Sequence, residues 1–120
     1  LSTLVSPKEA VNGNHDMVQA LALGGLTYGV YNVDLTAAYA TIANGGVYTK
    51  PIYYTKVIDF DGNVLLDNST PETHTVIKET TAWLLADTLV SATKDNQFAS
   101  QAVVKNIATG GKTGTTTGNT

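Results

Sequence analysis

The chain has 120 residues, of which 42% are apolar and 14% charged, a balance that excludes an intrinsically disordered chain and allows one small domain or part of a larger one. Seven lysines, no arginine and a net charge of −3 leave no basic face of the kind nucleic acid requires, so no nucleic-acid partner is expected. The lack of cysteine excludes a disulfide framework, a Cys-ligated zinc site and a thiol nucleophile. No charged-then-apolar leader opens the sequence and no apolar run is long enough to span a bilayer. The chain starts at Leu1 rather than Met, which fits a piece of a longer protein whose anchor lies upstream. In such a piece the apolar faces are shaped to meet elements outside it.

In chain order, Ser6-Pro7-Lys8-Glu9 predicts a helix start, with Ser6 as cap, Pro7 in the first turn and Glu9 closing a capping box. Asn12-Gly13-Asn14 ends that short helix. Asp16 is placed to cap a second one, Met17 to Leu23, closed by Gly24-Gly25. Asn32 is placed to cap a third, in which Leu35, Ala38, Tyr39 and Ile42 share an apolar face before Asn44-Gly45-Gly46 stops it.

The period then changes. Ile52 to Phe60 is rich in Tyr, Ile, Val and Thr, and Asp61-Gly62 separates it from Val64-Leu65-Leu66, which predicts a β-hairpin. Asp67 to Thr75 is polar, contains Pro71 and reads as a loop. A fourth helix runs from about Glu79 to Ala92, with Thr81, Leu84, Leu85, Thr88, Leu89 and Ala92 on one face and Trp83 beside it in the core. Residues 95–101 read as loop and Val103 to Ile107 as extended.

The chemistry-bearing stretch is Gly110-Gly111-Lys112-Thr113-Gly114-Thr115-Thr116. Lys-Thr-Gly is one of three signatures shared by penicillin-binding proteins and class A β-lactamases, and alone it is a weak signal. The stretch Leu21-Ala22-Leu23-Gly24-Gly25, Gly29-Val30 and Leu35 to Gly46 (LTAAYATIANGG) closely resembles a segment of bifunctional, class A penicillin-binding proteins. The hairpin, the loop, the long amphipathic helix and Gly-Lys-Thr-Gly-Thr-Thr then follow in that family's order, so the resemblance covers roughly Leu21 to Thr116. Two departures are Tyr31-Asn32 where the family often has Thr-Pro, and Thr117-Gly118-Asn119 after Gly-Thr-Thr.

The resemblance implies an α+β fold, a fragment of the serine β-lactamase/penicillin-binding transpeptidase fold, with about four helices, one hairpin and a terminal strand bearing Lys112. Residues 1–120 would be the C-terminal portion of a transpeptidase domain, incomplete and inactive alone because it holds no nucleophile. The strand could pair with another copy of the chain, fold onto the hairpin or stay loose.

On this resemblance Lys112 brings positive charge to a site that binds the carboxylate of a peptide or β-lactam. Thr113 and Thr115 offer hydroxyls to it, and Gly114 lets substrate backbone lie close. The backbone N–H of Thr115 supplies half of an oxyanion hole. Implied partners are peptidoglycan stem peptides, the lipid-linked precursor and β-lactam antibiotics. The parent protein would be anchored in the membrane with this region outside the cytoplasm, and no cofactor is implied.

Other readings were weighed. Ser91-Ala92-Thr93-Lys94 has Ser-x-x-Lys spacing, but it follows the long helix, whereas the family's nucleophile lies far upstream of Lys-Thr-Gly. Its bland reading is a helix C-terminus with Lys94 complementing the dipole. Gly111-Lys112-Thr113 lacks the earlier glycine of a phosphate-binding loop, because position 106 is Asn. His15 and His74 sit apart in polar segments with no second ligand at metal spacing. Asp59, Asp61 and Asp67 read as turn residues, and Tyr53 and Tyr54 as strand residues packing on a helix rather than a sugar platform. A β-lactamase or antibiotic-sensing receptor domain and a non-catalytic interaction module stand as alternative functions.

Overall fold

A computed structural model describes residues 3–94 and 100–114. The described chain contains two α-helices, α1 (Asn32–Ala43) and α2 (Glu79–Ser91), and four short strands, β1 (Val47–Thr49), β2 (Lys56–Ile58), β3 (Val64–Asp67) and β4 (Thr73–Thr75). Two 3-10 segments, Gln19–Leu23 and Ser100–Ala102, complete the order. The strands form two separate antiparallel pairs, β1 with β4 and β2 with β3. Helices with small antiparallel sheets are consistent with the α+β expectation, but two α-helices stand among the described residues where four were expected.

The two missing helices fail for a local reason. Ser6 and Glu9 do pair, the Ser6 hydroxyl donating to Glu9 Oε2 at 2.6 Å and the Ser6 N–H at 3.0 Å. Asn12 and Gly13 then enter the left-handed region at φ 53° and 76°, so the helix has no length over which to recover its nucleation cost. Of the expected span, only Gln19–Leu23 tightens, into a 3-10 segment. Its end is a Schellman turn, with Gly25 N–H donating to Ala20 O at 2.8 Å and Gly24 N–H to Leu21 O at 3.0 Å.

Asp16 does not cap that segment. It is fully buried, and its carboxylate accepts the N–H groups of Thr27 (2.8 Å), Tyr28 (2.9 Å) and Val5 (2.9 Å), tying three stretches of irregular chain together. The amides of Tyr28 and Val5 hold its pKa below the usual carboxylate value, against the opposing effect of burial. A depressed folded-state pKa contributes stability that is present above the unfolded value and lost as pH falls through the folded one. In the full-length protein, Asp16→Asn is therefore expected to lower Tm at neutral pH. The gap to wild type should close below pH ~4, as measured by thermal unfolding across pH.

Helix α1 has the expected bounds, but Asn32 is its first residue and Tyr31 its uncapped N-cap. Its buried residues are Ala37 and Thr41, one position away from the expected face, and Leu35 and Tyr39 are exposed. The Thr41 hydroxyl is satisfied within the helix by Ala37 O at 2.8 Å, so a threonine is tolerated there. On α2 the buried residue is Ala82, with Ala86, Leu89 and Val90 half-buried behind it. Leu84, Leu85 and Trp83 face outward, Trp83 at 65% exposure, which corrects the expectation that it is core. Helices α1 and α2 pack on each other through these small residues, and β1 packs on α1.

The junction after α1 holds this unit together. Gly46 has φ 89°, and its carbonyl accepts the N–H groups of Val76 at 2.9 Å and Ile77 at 3.4 Å. A Cβ at Gly46 would lie 2.2 Å from Ile77 O. The β1–β4 ladder continues from this crossing, pairing Val47 with Thr75 and Thr49 with Thr73. Tyr48 and His74 face each other at 5.1 Å between ring centroids, so His74 is a strand residue rather than a loop one.

The hairpin expectation holds in a shorter form, since only Lys56–Ile58 of the run becomes strand. The Asp59 carboxylate organises the turn by accepting the N–H groups of Asp61 and Asn63, and Gly62 stands at φ 87°. At the other end Lys56 pairs with Asp67 at 3.3 Å, and the Ser69 hydroxyl and N–H together with Lys56 bring the Asp67 carboxyl down to about 2. Tyr53 and Tyr54 lie before β2 in irregular chain and are exposed, which corrects their reading as packed strand residues. Among the described residues the β2–β3 hairpin packs against no other helix or strand.

The apolar core of the described residues consists of Ala37 and Ala82. The Cα radius of gyration is 18.3 Å, against roughly 14 Å for a compact domain of this length. Large side chains such as Leu23, Tyr53, Phe60 and Trp83 are left open, so the described residues do not close these apolar faces among themselves.

Candidate functional site

The segment 108–114 is not a strand, contrary to expectation. Among the described residues it pairs with no strand, and its backbone bonds to the end of α2 instead. Gly111 N–H donates to Leu89 O at 3.1 Å, and the Thr93 hydroxyl lies 2.6 Å from Thr109 O and 2.8 Å from Val90 O. Gly110 lies so close to the helix that an added Cβ would meet Leu89 Cβ at 3.1 Å and Val90 N at 3.3 Å. These contacts use a helix end that has carbonyls to spare.

The stretch before it is a turn. Val103 to Ile107, expected as extended, closes with Ile107 N–H donating to Val104 O at 3.1 Å and Asn106 at φ 64°. Thr109 Oγ1 accepts the Val104 N–H at 3.0 Å, so Thr109 ties that turn down with its side chain while its carbonyl meets Thr93.

Lys112, Thr113 and Gly114 follow as an exposed run. The Lys112 ammonium donates to Thr113 O at 2.7 Å. A Cβ at Gly114 would meet nothing within 4 Å among the described residues. Thr115, expected from the resemblance as an oxyanion-hole donor, lies outside the described residues. Lys112, Thr113 and Gly114, consecutive in the chain, all face solvent.

Ser91 and Lys94 make no hydrogen bond with each other's side chains, and both are exposed at the end of α2. Two open clefts of about 550 Å³ flank the α1–α2 contact, one including Ile42, Trp83 and Leu84, the other Thr41, Tyr48 and Leu85, and neither includes residues 110–114. Among the described residues no group of three His, Asp or Glu side chains stands within reach of one metal ion.

Thr93 is the residue sequence reasoning missed. It was passed over as an interior letter of Ser91-Ala92-Thr93-Lys94, yet it is 4% exposed. Its signal was present: Ala82, Ala86, Leu89 and Thr93 recur at the spacing of one helix face.

A family model described as penicillin binding protein transpeptidase domain matches residues 5–120. Penicillin-binding protein 1A of Clostridium perfringens is 40% identical over 95 residues, 79% of this chain and 13% of its own length. Penicillin-binding protein 1A of Clostridium novyi is 34% identical over 108 residues, 88% of this chain and 12% of its own. Penicillin-binding protein 1F of Bacillus subtilis is 36% identical over 97 residues, 81% of this chain and 13% of its own. The chain therefore spans about an eighth of the length of these curated relatives.

Proposed function

This chain belongs to the penicillin-binding protein transpeptidase family, and from that premise we propose that it forms one wall of the cleft of a peptidoglycan-cross-linking D,D-transpeptidase. The observation that carries the reading is the family match through residues 110–114, where Lys112 stands exposed on a backbone anchored to α2. Lys112 binds the terminal carboxylate of a stem peptide, or of a β-lactam, with a charge-assisted hydrogen bond. Thr113 and Thr115 add hydroxyls, and Gly114 lets the substrate backbone approach. The Thr115 N–H contributes to the oxyanion hole.

The nucleophile is a serine of the parent protein outside residues 1–120. Its oxygen attacks the carbonyl between the two D-Ala residues of a stem peptide, and the bond to the terminal D-Ala breaks. That residue leaves with a proton on its amine, and an acyl-serine ester remains. An amine of a second stem displaces the serine, forming the cross-link and returning the proton to serine oxygen. A β-lactam acylates the same serine by ring opening. The parent works at the outer face of the cell membrane; among the described residues no helix is long and apolar enough to cross one.

The test is covalent labelling with a fluorescent penicillin. The full-length protein is expected to take the label on a serine outside this chain, and Ser91→Ala is expected to label as wild type. Residues 1–120 expressed alone are expected to take none. Label on Ser91 would overturn the assignment.

A further inference from the structure

The last turn of α2 does more than precede the Lys-Thr-Gly run. Three consecutive residues, Thr109, Gly110 and Gly111, are fastened to it by a hydroxyl, a close backbone approach and an amide. Lys112 is the next residue, so its Cα is placed by these contacts. Of the three, only the Thr93 hydroxyl comes from a side chain, and it is nearly fully buried. A hydroxyl has one proton, so Thr93 donates to either Val90 O or Thr109 O, and the shorter separation is to Thr109.

We propose that Thr93 is a positioning residue for Lys112: its hydroxyl latches the Thr109 carbonyl to the end of α2 and so fixes where the ammonium meets a substrate carboxylate. The inference rests on the carboxylate-binding role proposed for Lys112. Without the latch, residues 109–111 keep the Gly111 amide but can pivot about it, and the Thr109 carbonyl loses its donor, whereas Val90 O keeps the Thr93 N–H at 3.1 Å. The ammonium then samples positions off the carboxylate, and substrates that depend on that contact react more slowly.

The test uses the full-length protein, with a penicillin and its methyl ester as paired probes. Thr93→Val is expected to slow acylation by the free acid about five- to tenfold, the worth of one hydrogen bond, and to leave the ester rate unchanged. Thr93→Ser, which restores the hydroxyl, is expected to return the free-acid rate. A merely structural role would slow acid and ester alike, and that result would overturn the proposal.

Lys112→Ala run in parallel separates the two levels. Equal effects of that change on acid and ester would sink the Lys112 reading. Discrimination by Lys112→Ala without discrimination by Thr93→Val would sink the latch alone. Should Thr93→Val fail to fold, the pair Thr93→Ala and Thr93→Ser reads the same hydroxyl without the added methyl group.

Discussion

Replacing Lys112 with Ala in the full-length protein is expected to slow acylation by a penicillin by about 10- to 150-fold, from the loss of ~1.5–3 kcal/mol for a hydrogen bond to a charged group. The carboxylate of the drug would lose the cationic partner proposed for it, with the rest of the wall intact. The penicillin methyl ester has no anion to bind, so wild type and variant are expected to acylate with the ester at the same rate. Lys112→Arg keeps the charge but replaces a point donor by a planar fork, and only partial recovery is expected. Stopped-flow acylation of wild type and both variants decides it. A Lys112→Ala protein that reacts with the free acid at the wild-type rate removes Lys112 from the site.

The largest effect on stability is expected at Gly46. Ala there combines a φ of 89° with a Cβ 2.2 Å from Ile77 O. Strain at a left-handed position and overpacking against backbone together cost ~2–6 kcal/mol. Relief would require the Gly46 carbonyl to swing away from Val76 and Ile77, which detaches the start of α2 from the end of α1. Gly45→Ala is the control. Gly45 is also left-handed at 63°, but its Cβ would meet only Glu79 Cγ, at 3.7 Å. Only the ~1–2 kcal/mol of left-handed strain applies there. Thermal unfolding of the full-length variants is expected to place Gly46→Ala well below Gly45→Ala, and equal Tm values would refute the crossing as the source of the difference.

Several elements were legible in the sequence for reasons the structure makes plain. Asp61-Gly62 between two apolar runs marked the hairpin, because a turn with Gly62 at φ 87° needs that residue. The bounds of α1 and α2 were readable because glycines or a change of composition punctuate them. The family was readable because Gly110 to Thr116 and Leu21 to Gly46 occur in the right order, and the match over residues 5–120 bears that out.

The rest was hidden by physics that periodicity does not carry. Each helix has apolar residues on more than one side, so the burial of Ala37 rather than Leu35 is decided by what packs against it. Strands β1 and β4 are three residues long, and the residues of β4 are all exposed, which leaves no alternation to read. Short N-terminal helices were expected from caps alone, although a cap without length or packing does not pay for nucleation. The strand at Lys112 was inferred from the family, and a strand exists only where an edge receives it. In this chain the receiving group is the end of a helix, reached through Thr93 and Leu89.

The isolation of the β2–β3 hairpin from the other described helices and strands has a mechanical corollary. A lengthened turn after Gly62, or a swapped pair in place of Lys56 and Asp67, alters bonds that begin and end within the hairpin's own neighbourhood. Among the described helices and strands no contact carries such a change toward residues 109–112. A load on this arm is expected to stay in the arm, while one on the α2 terminus reaches Gly111 directly through Leu89 O.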